Sequence, residues 1–323
     1  MELGYKLSSE EHRPNDLVKN ARLAGDAGFT FAMISDHFHP WIDKQGQSPF
    51  VWNVIGAIAH ATTRLRLATG VTCPTVRIHP AIIAQAAATS AAMMPGRFML
   101  GVGSGENLNE HVVGARWPNN TMRLEMLEEA IQVIRLLWEG GLTSHEGRFY
   151  EVDTARVYTL PEEPPPILVA AGGDKAAELA GRVGDGLVMT SADQKVMKAF
   201  ETAGGKGKPK YVEMSVCWAA DERQARRIAR EWWPTAVIGS SLHWELPLPS
   251  HFEDAVADVT EEQVAKEVVC GPDADRHLEG IRKYLKAGFD HVCVHQVGPD
   301  QEGFIKFYAR EVLPKLTKDR AAA

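Results

Sequence analysis

The stretch Phe29–Trp41, FTFAMISDHFHPW, decides how the rest of the chain reads. Its apolar run, Phe29–Ile34, suits a short buried strand and is too short for a helix. The run stops abruptly in Ser35, Asp36, His37, His39 and Trp41. Titratable and aromatic residues at the C-terminal end of a buried strand are where an α/β barrel keeps its chemistry.

A barrel of this kind needs eight strands with helices between them, and the pattern on both sides supplies them. Before the run, Leu3–Lys6 reads as a strand and Asp16–Ala27 as a helix closed by Gly28. After it come helix Trp52–Ala61, strand Leu65–Thr72, helix Ala81–Met94 and strand Phe98–Gly103. Helix Met122–Trp138 carries Leu124, Leu127, Ile131, Ile134 and Leu137 at i, i+3, i+4 spacing. Strands Ile167–Ala171, Leu187–Thr190, Val212–Trp218 and His291–His295 follow, with helices Lys175–Val183, Glu222–Trp232 and His277–Ala287 among them. Phe304–Leu316 reads as a last helix. The expected fold is one (β/α)8 TIM barrel over residues 1–323, with a doubly wound open sheet as its rival. Two segments break the rhythm. Residues 142–166 hold EGRFYEV and PEEPPP and predict a hairpin and turn outside the barrel. Residues 234–260, with WELPLPSHFEDAV, predict a second insertion over the mouth.

Composition narrows the function. Of 323 residues, 45% are apolar, enough for a large core, and the net charge of −7 argues against a nucleic-acid partner. Cys73, Cys217, Cys270 and Cys293 are scattered with no C-x-x-C pair, which suits reduced thiols in a cytoplasm. The opening MELGYKLSS lacks a signal-peptide core, and no apolar run approaches a membrane span. A cytoplasmic protein is expected.

Several strand ends carry candidate chemistry. Asp36 and His37 follow the second strand, where His37 could move a proton and Asp36 could hold a cofactor. His37-x-His39 also invites a metal reading, but only His295 offers a further ligand late in the chain, so no metal is expected. Gly101–Glu110, GVGSGENLNE, lets a flat ring or phosphate approach the backbone and places Glu106 and Asn109 at the mouth. Thr69–Thr75, TGVTCPT, suggests irregular backbone at a ligand. Ala170–Ala176, AAGGDKA, opens a helix whose free N–H groups could meet an anion, although Asp174 weakens that site.

Together these pieces resemble the luciferase-like barrel superfamily. They are similar in particular to its branch of coenzyme F-420 (8-hydroxy-5-deazaflavin) enzymes, the glucose-6-phosphate dehydrogenase-like and alcohol dehydrogenase-like members. The matching segments are LGYK, SDHFHPW, TGVTCPT, HPAIIAQAAAT, PGRFMLGVGSGENLNE, AAGG, GRVGDG and AGFDHVCVHQ, in that order. The resemblance implies a homodimer, with a deazaflavin ring in the barrel mouth. By position, Asp36, Cys73, Ser104, Gly105 and Asn109 match cofactor contacts, and Gly172, Gly173, Lys175 and Ala176 match the phosphate end. Gly70–Val71 matches a non-prolyl cis peptide behind the ring. His37, Trp41, Glu106 and Glu10 match the reacting centre.

Such an enzyme moves hydride between the cofactor and the carbinol or carbonyl carbon of an alcohol or sugar. The hydroxyl proton then needs a base, which His37 suits near neutral pH. Glu106 suits an acid if an apolar setting keeps it protonated. The choice of base among His37, Glu106 and Glu10 stays open. Where sugar-phosphate members carry lysines after Thr190 and in the late insertion, this chain has Asp193 and Asp254. Anions there would repel a phosphate, so an unphosphorylated alcohol, sugar or ketone is expected, and a sugar-6-phosphate is the alternative. A flavin-dependent monooxygenase and a metal-dependent hydrolase are the more distant readings.

Overall fold

The computed structural model describes residues 1–316; the expected domain's last residues, 317–323, lie outside them. In chain order the elements begin with β1 (Glu2–Leu7), α1 (Pro14–Ala27), β2 (Phe31–Ile34), α2 (Val51–Ala61), β3 (Arg66–Thr69) and α3 (Pro80–Met93). They continue with β4 (Phe98–Val102), α4 (Asn107–Glu110), α5 (Asn120–Trp138), β5 (Thr143–Glu146), β6 (Glu151–Ala155), β7 (Ile167–Ala170) and α6 (Asp174–Val183). Next are β8 (Gly186–Met189), α7 (Gln194–Phe200), β9 (Lys210–Cys217), α8 (Glu222–Trp232), α9 (Ser240–Glu245) and α10 (Pro249–Ala255). Last are α11 (Glu261–Glu267), β10 (Val269–Cys270), α12 (Ala274–Lys286), β11 (His291–Gln296) and α13 (Gln301–Phe307).

Strands β1, β2, β3, β4, β7, β8, β9 and β11 pair in parallel, and β8 closes on β9, so the sheet is the expected eight-stranded barrel. Side-chain alternation separates two layers. Leu3, Tyr5 and Leu7 of β1 join the large core between strands and helices. Phe31, Met33, Ala68, Met99, Leu168, Val188, Tyr211 and Cys293 fill the barrel interior. The Phe31 ring lies 2.3 Å from where a Cβ on Gly4 would stand, so only glycine fits opposite it. No described helix is long and apolar enough to cross a membrane.

Several boundaries differ from expectation for local reasons. Phe29 belongs to the end of α1, not to β2: its N–H bonds the Ala24 carbonyl across Gly28, which is left-handed at φ +106°. Strand β3 stops at Thr69 because the Gly70–Val71 peptide is cis; beyond it, Thr72 bridges Val102 alone. The last helix starts earlier, at Gln301, where Asp300 caps it, and loosens into a π-helical turn over Tyr308–Val312. Helix α7, not foreseen, is capped by Asp193.

Both insertions take shape. Strands β5 and β6 form an antiparallel hairpin. The Glu129 carboxylate of α5 gathers the N–H groups of Arg148, Phe149 and Tyr150 to hold it. The second insertion folds into a 3-10 turn at Pro234–Val237 followed by α9 and α10.

Candidate active site

The turn after β2 sets the centre. The Asn109 Oδ1 accepts from the N–H groups of Phe38 and His39, and the Ser48 hydroxyl donates to the His37 carbonyl. Held this way, His37 is buried with Nδ1 3.1 Å from the His39 carbonyl. A carbonyl only accepts, so Nδ1 carries the hydrogen and Nε2 is the working nitrogen. Nε2 lies 3.3 Å from Glu10 Oε1 and 3.4 Å from Glu106 Oε2.

The two carboxyl groups differ in setting. Burial works against ionisation of Glu10, but His37, Lys6 and the Ser35 hydroxyl outweigh it and hold the carboxyl down at about 2. Burial pushes Glu106 up against the pull of His37, and the Glu10 charge adds to the rise. The Asn109 amide donates to Glu106 Oε2 at 3.0 Å, which leaves Oε1 toward the mouth. Pairs of carboxyls driven apart by their surroundings are how one site holds an acid and a base together.

Trp41 roofs this cluster. Its ring meets His37 edge-on at 5.0 Å, and on its other sides meets His243 at 5.1 Å and Phe252 at 5.2 Å. The second insertion therefore reaches the reacting centre through one indole. Burial lowers the His243 pKa, so that ring is neutral at pH 7. Insertion helix α9 is fastened at two further points. Arg123 Nη1 bonds Glu245 at 3.0 Å, and the Asn107 amide donates to the Glu245 carbonyl at 3.0 Å. Trp244 covers Gly172, 2.6 Å from the position a Cβ would take.

Beside the cluster, Asp36 is fully engaged. Its Oδ1 accepts from Arg77 Nη2 at 2.7 Å and its Oδ2 from the Thr72 hydroxyl at 2.7 Å. Arg77 also meets Glu110 through its backbone N–H and Nε. Cys73 packs against Gly105, where a Cβ would lie 2.5 Å from its Sγ, and burial pushes its thiol up. Gly70, Val71, Ser104 and Ala170 are half-buried at the same rim.

The structure thus brings His37, Glu10, Glu106 and Trp41 into contact, with Asp36, Cys73, Gly105 and Asn109 packed around them. Gly172, Gly173, Lys175 and Ala176 lie on the next loop, where Lys175 is exposed. Asp193 and Asp254 are not drawn into the cluster. Asp193 is exposed and accepts from the N–H groups of Lys195 and Val196, and Asp254 is exposed on α10. Lys195, a cation that could have compensated, pairs with Asp174, and Arg276 pairs with Glu222. His39 turns Nδ1 to the Leu108 carbonyl at 2.8 Å, and no described group of three or more His, Cys, Asp or Glu is placed to hold a metal.

Comparison with known proteins gives the lineage. The family model for luciferase-like monooxygenases matches residues 1–291. The chain belongs to the luciferase-like family. Among luciferase-like relatives, it is 37% identical to the F420-dependent glucose-6-phosphate dehydrogenase of Nocardia farcinica over 98% of both chains. It is 36% identical to an enzyme of the same name from Rhodococcus jostii, again over 98% of both. Of the solved luciferase-like folds, an F420-dependent secondary alcohol dehydrogenase in complex with an F420-acetone adduct superposes with a TM-score of 0.89. It is 30% identical, and the match covers 96% of this chain and 98% of that one. The coenzyme F420-dependent tetrahydromethanopterin reductase of Methanopyrus kandleri shares the fold at a TM-score of 0.78, with 23% identity over 97% of this chain and 99% of that one.

Sequence reasoning missed Lys6, Ser35, Arg77 and His243 as parts of the site. Strand alternation could have found Lys6, since an inward lysine between Tyr5 and Leu7 is unusual. Arg77 and His243 come from segments whose approach only the fold decides.

Proposed function

We propose that this luciferase-like barrel is a coenzyme F-420-dependent dehydrogenase acting on the CH–OH carbon of a sugar phosphate, with glucose 6-phosphate the first candidate. The observation that carries the substrate is end-to-end similarity to relatives named for it. That puts the phosphorylated sugar ahead of the neutral alcohol expected from the sequence. The neutral alcohol stays as the second reading because Asp193 and Asp254 stand where cations were looked for.

The mouth suits a flat ring. Glycines line it where side chains could not: a Cβ on Gly103 would lie 2.9 Å from Val71, and one on Gly105 would strike Cys73. Gly70–Val71, cis as the resemblance implied, forms the facing wall. Gly173 leaves open space at the start of α6 for the phosphate end.

A bound 5-deazaflavin offers a ring carbon that takes up or returns hydride. The chain's own residues handle the proton. His37 Nε2 receives it from the substrate hydroxyl, and the neighbouring Glu10 carboxylate steadies the imidazolium. Glu106 holds a proton on Oε1, where it can meet charge developing in the mouth. Trp41, backed by Phe252 and His243, keeps water from the reacting carbon. The uncharged α2 and α3, which contain no Asp, Glu, Lys or Arg, support self-association as a homodimer.

The test is to follow the visible absorbance of oxidised coenzyme F-420 mixed with the protein as substrates are added. Bleaching with glucose 6-phosphate supports the first reading. Bleaching only with neutral alcohols or sugars moves the conclusion to the second. Oxygen uptake with reduced flavin mononucleotide and no bleaching would overturn both.

A further inference from the structure

Lys6 is an inward residue of β1 whose side chain is only 9% exposed. Its ammonium donates to Glu213 Oε2 at 2.7 Å and to the Gly70 carbonyl at 2.9 Å. One cation thereby ties β1 to β9 and to the turn after β3. A buried ammonium is tolerated only where carboxylates answer it. Two do so here, since Glu213 and Glu10 both favour its charged form. The two carboxyls flanking His37 are consequently unequal. Glu10 faces Lys6 and the hydroxyls of Ser35 and Ser8, whereas Glu106 has the Asn109 amide.

We infer that Lys6 is a positioning residue that fixes the negative charge on Glu10, so that the proton shared around His37 resides on the imidazole or on Glu106. It does not touch the reacting atoms. Its effect passes through Glu10, and through the Gly70 carbonyl it holds at the mouth wall. The consequence for catalysis rests on the hydride-transfer reading; the charge assignment is a property of the chain alone.

The titratable groups around Glu10 are His37 from the turn after β2, Glu106 from the turn after β4, Lys6 from β1 and His12 on its own loop. Those around Lys6, besides Glu10, are Glu213 from β9 and Cys293 and His295 from β11. His295 is itself bound to Glu11 at 2.7 Å, so its charge is answered locally. Among these cations Lys6 stands out because its protonation persists throughout the neutral and acid range.

The experiment titrates side-chain carboxyl carbons by NMR in the cofactor-free protein labelled at glutamate, with Glu10→Gln and Glu106→Gln giving the assignments. In the unsubstituted protein Glu10 is expected to be ionised at pH 5 and to titrate below Glu106. A protonated Glu10 at pH 5 would overturn the inference without any variant. Lys6→Met combined with Glu213→Gln avoids stranding a second carboxylate. It is expected to raise the Glu10 midpoint by more than one pH unit, over tenfold in proton affinity, while Glu213→Gln alone and Lys6→Arg keep it low. An unmoved midpoint in the double variant would reduce Lys6 to a strut. With active enzyme, the acid limb of kcat should rise in the double variant and return with Lys6→Arg. Loss of all turnover in every form would count against the reaction proposed above while leaving the carboxyl titration intact.

Discussion

Replacing Arg77 by Met tests how the cofactor wall is held. The guanidinium lies 2.7 Å from Asp36 and 3.5 Å from Glu110, and the three side chains are 7%, 0% and 1% exposed. Methionine keeps most of the volume, so the perturbation is electrostatic. Removing one partner of a buried pair costs about 3–5 kcal/mol. Asp36 would keep the Thr72 hydroxyl, and Glu110 would keep the backbone N–H of residue 77. The expected loss is therefore near the lower end, about 3 kcal/mol at pH 7. Urea unfolding followed by tryptophan fluorescence reads it directly. The sign of its pH dependence is also fixed. Burial already pushes Glu110 up, and losing Arg77 pushes it further. A carboxyl whose folded pKa is raised destabilises the fold as pH rises through the window above its unfolded value. The deficit should thus be largest at pH 7 and shrink toward pH 5. Adding Asp36→Asn should recover part of it. A loss under about 1 kcal/mol at pH 7 would refute the argument, because water would then be solvating both carboxylates.

Three further outcomes are expected. His37→Ala should lower kcat by about 10²–10⁴-fold while coenzyme F-420 still binds, as seen by fluorescence quenching; unchanged turnover would remove His37 from proton transfer. Asp193→Lys together with Asp254→Lys should raise kcat/KM for glucose 6-phosphate and leave neutral alcohols unaffected, and no gain would mean that neither position faces the substrate. Glu10, held down at about 2 from an ordinary value of 4.5, contributes roughly 3 kcal/mol above pH 5, lost as pH falls toward 2. Urea midpoints from pH 7 to pH 3 should accordingly fall more steeply for the unsubstituted protein than for Glu10→Gln; parallel curves would show that the carboxyl is not held down.

The barrel was legible because its strands are short apolar runs with polar ends, and each run found its place in register. Phe29 was assigned to the strand because hydrophobicity cannot see the helix-closing bond it makes across Gly28. Helix α7 went unread because Asp193 drew attention as a substrate neighbour, whereas its carboxylate serves the helix N-terminus. His37, Glu10, Glu106 and Trp41 are far apart in sequence and meet through three strand ends, which the resemblance to F-420 enzymes supplied and periodicity alone could not. Asp36 and Asn109 were read as reaching for a ligand. Their side chains are bound to Arg77, Thr72 and the turn after β2, since a charged or amide group at a barrel mouth also needs partners of its own.

The roof over His37 has a separate origin from the walls. Helices α9 and α10 contribute no strand to the barrel, and they meet the centre through Trp41, Gly172 and Arg123. Chemistry and choice of substrate are therefore encoded in different stretches of the gene. Mutations in residues 234–260 can redraw the guest list one contact at a time while the ladder that aligns His37, Glu10 and Glu106 stays untouched. A lineage built this way diversifies by re-tailoring one segment, and its members should differ most where they close over the guest and least where they act on it.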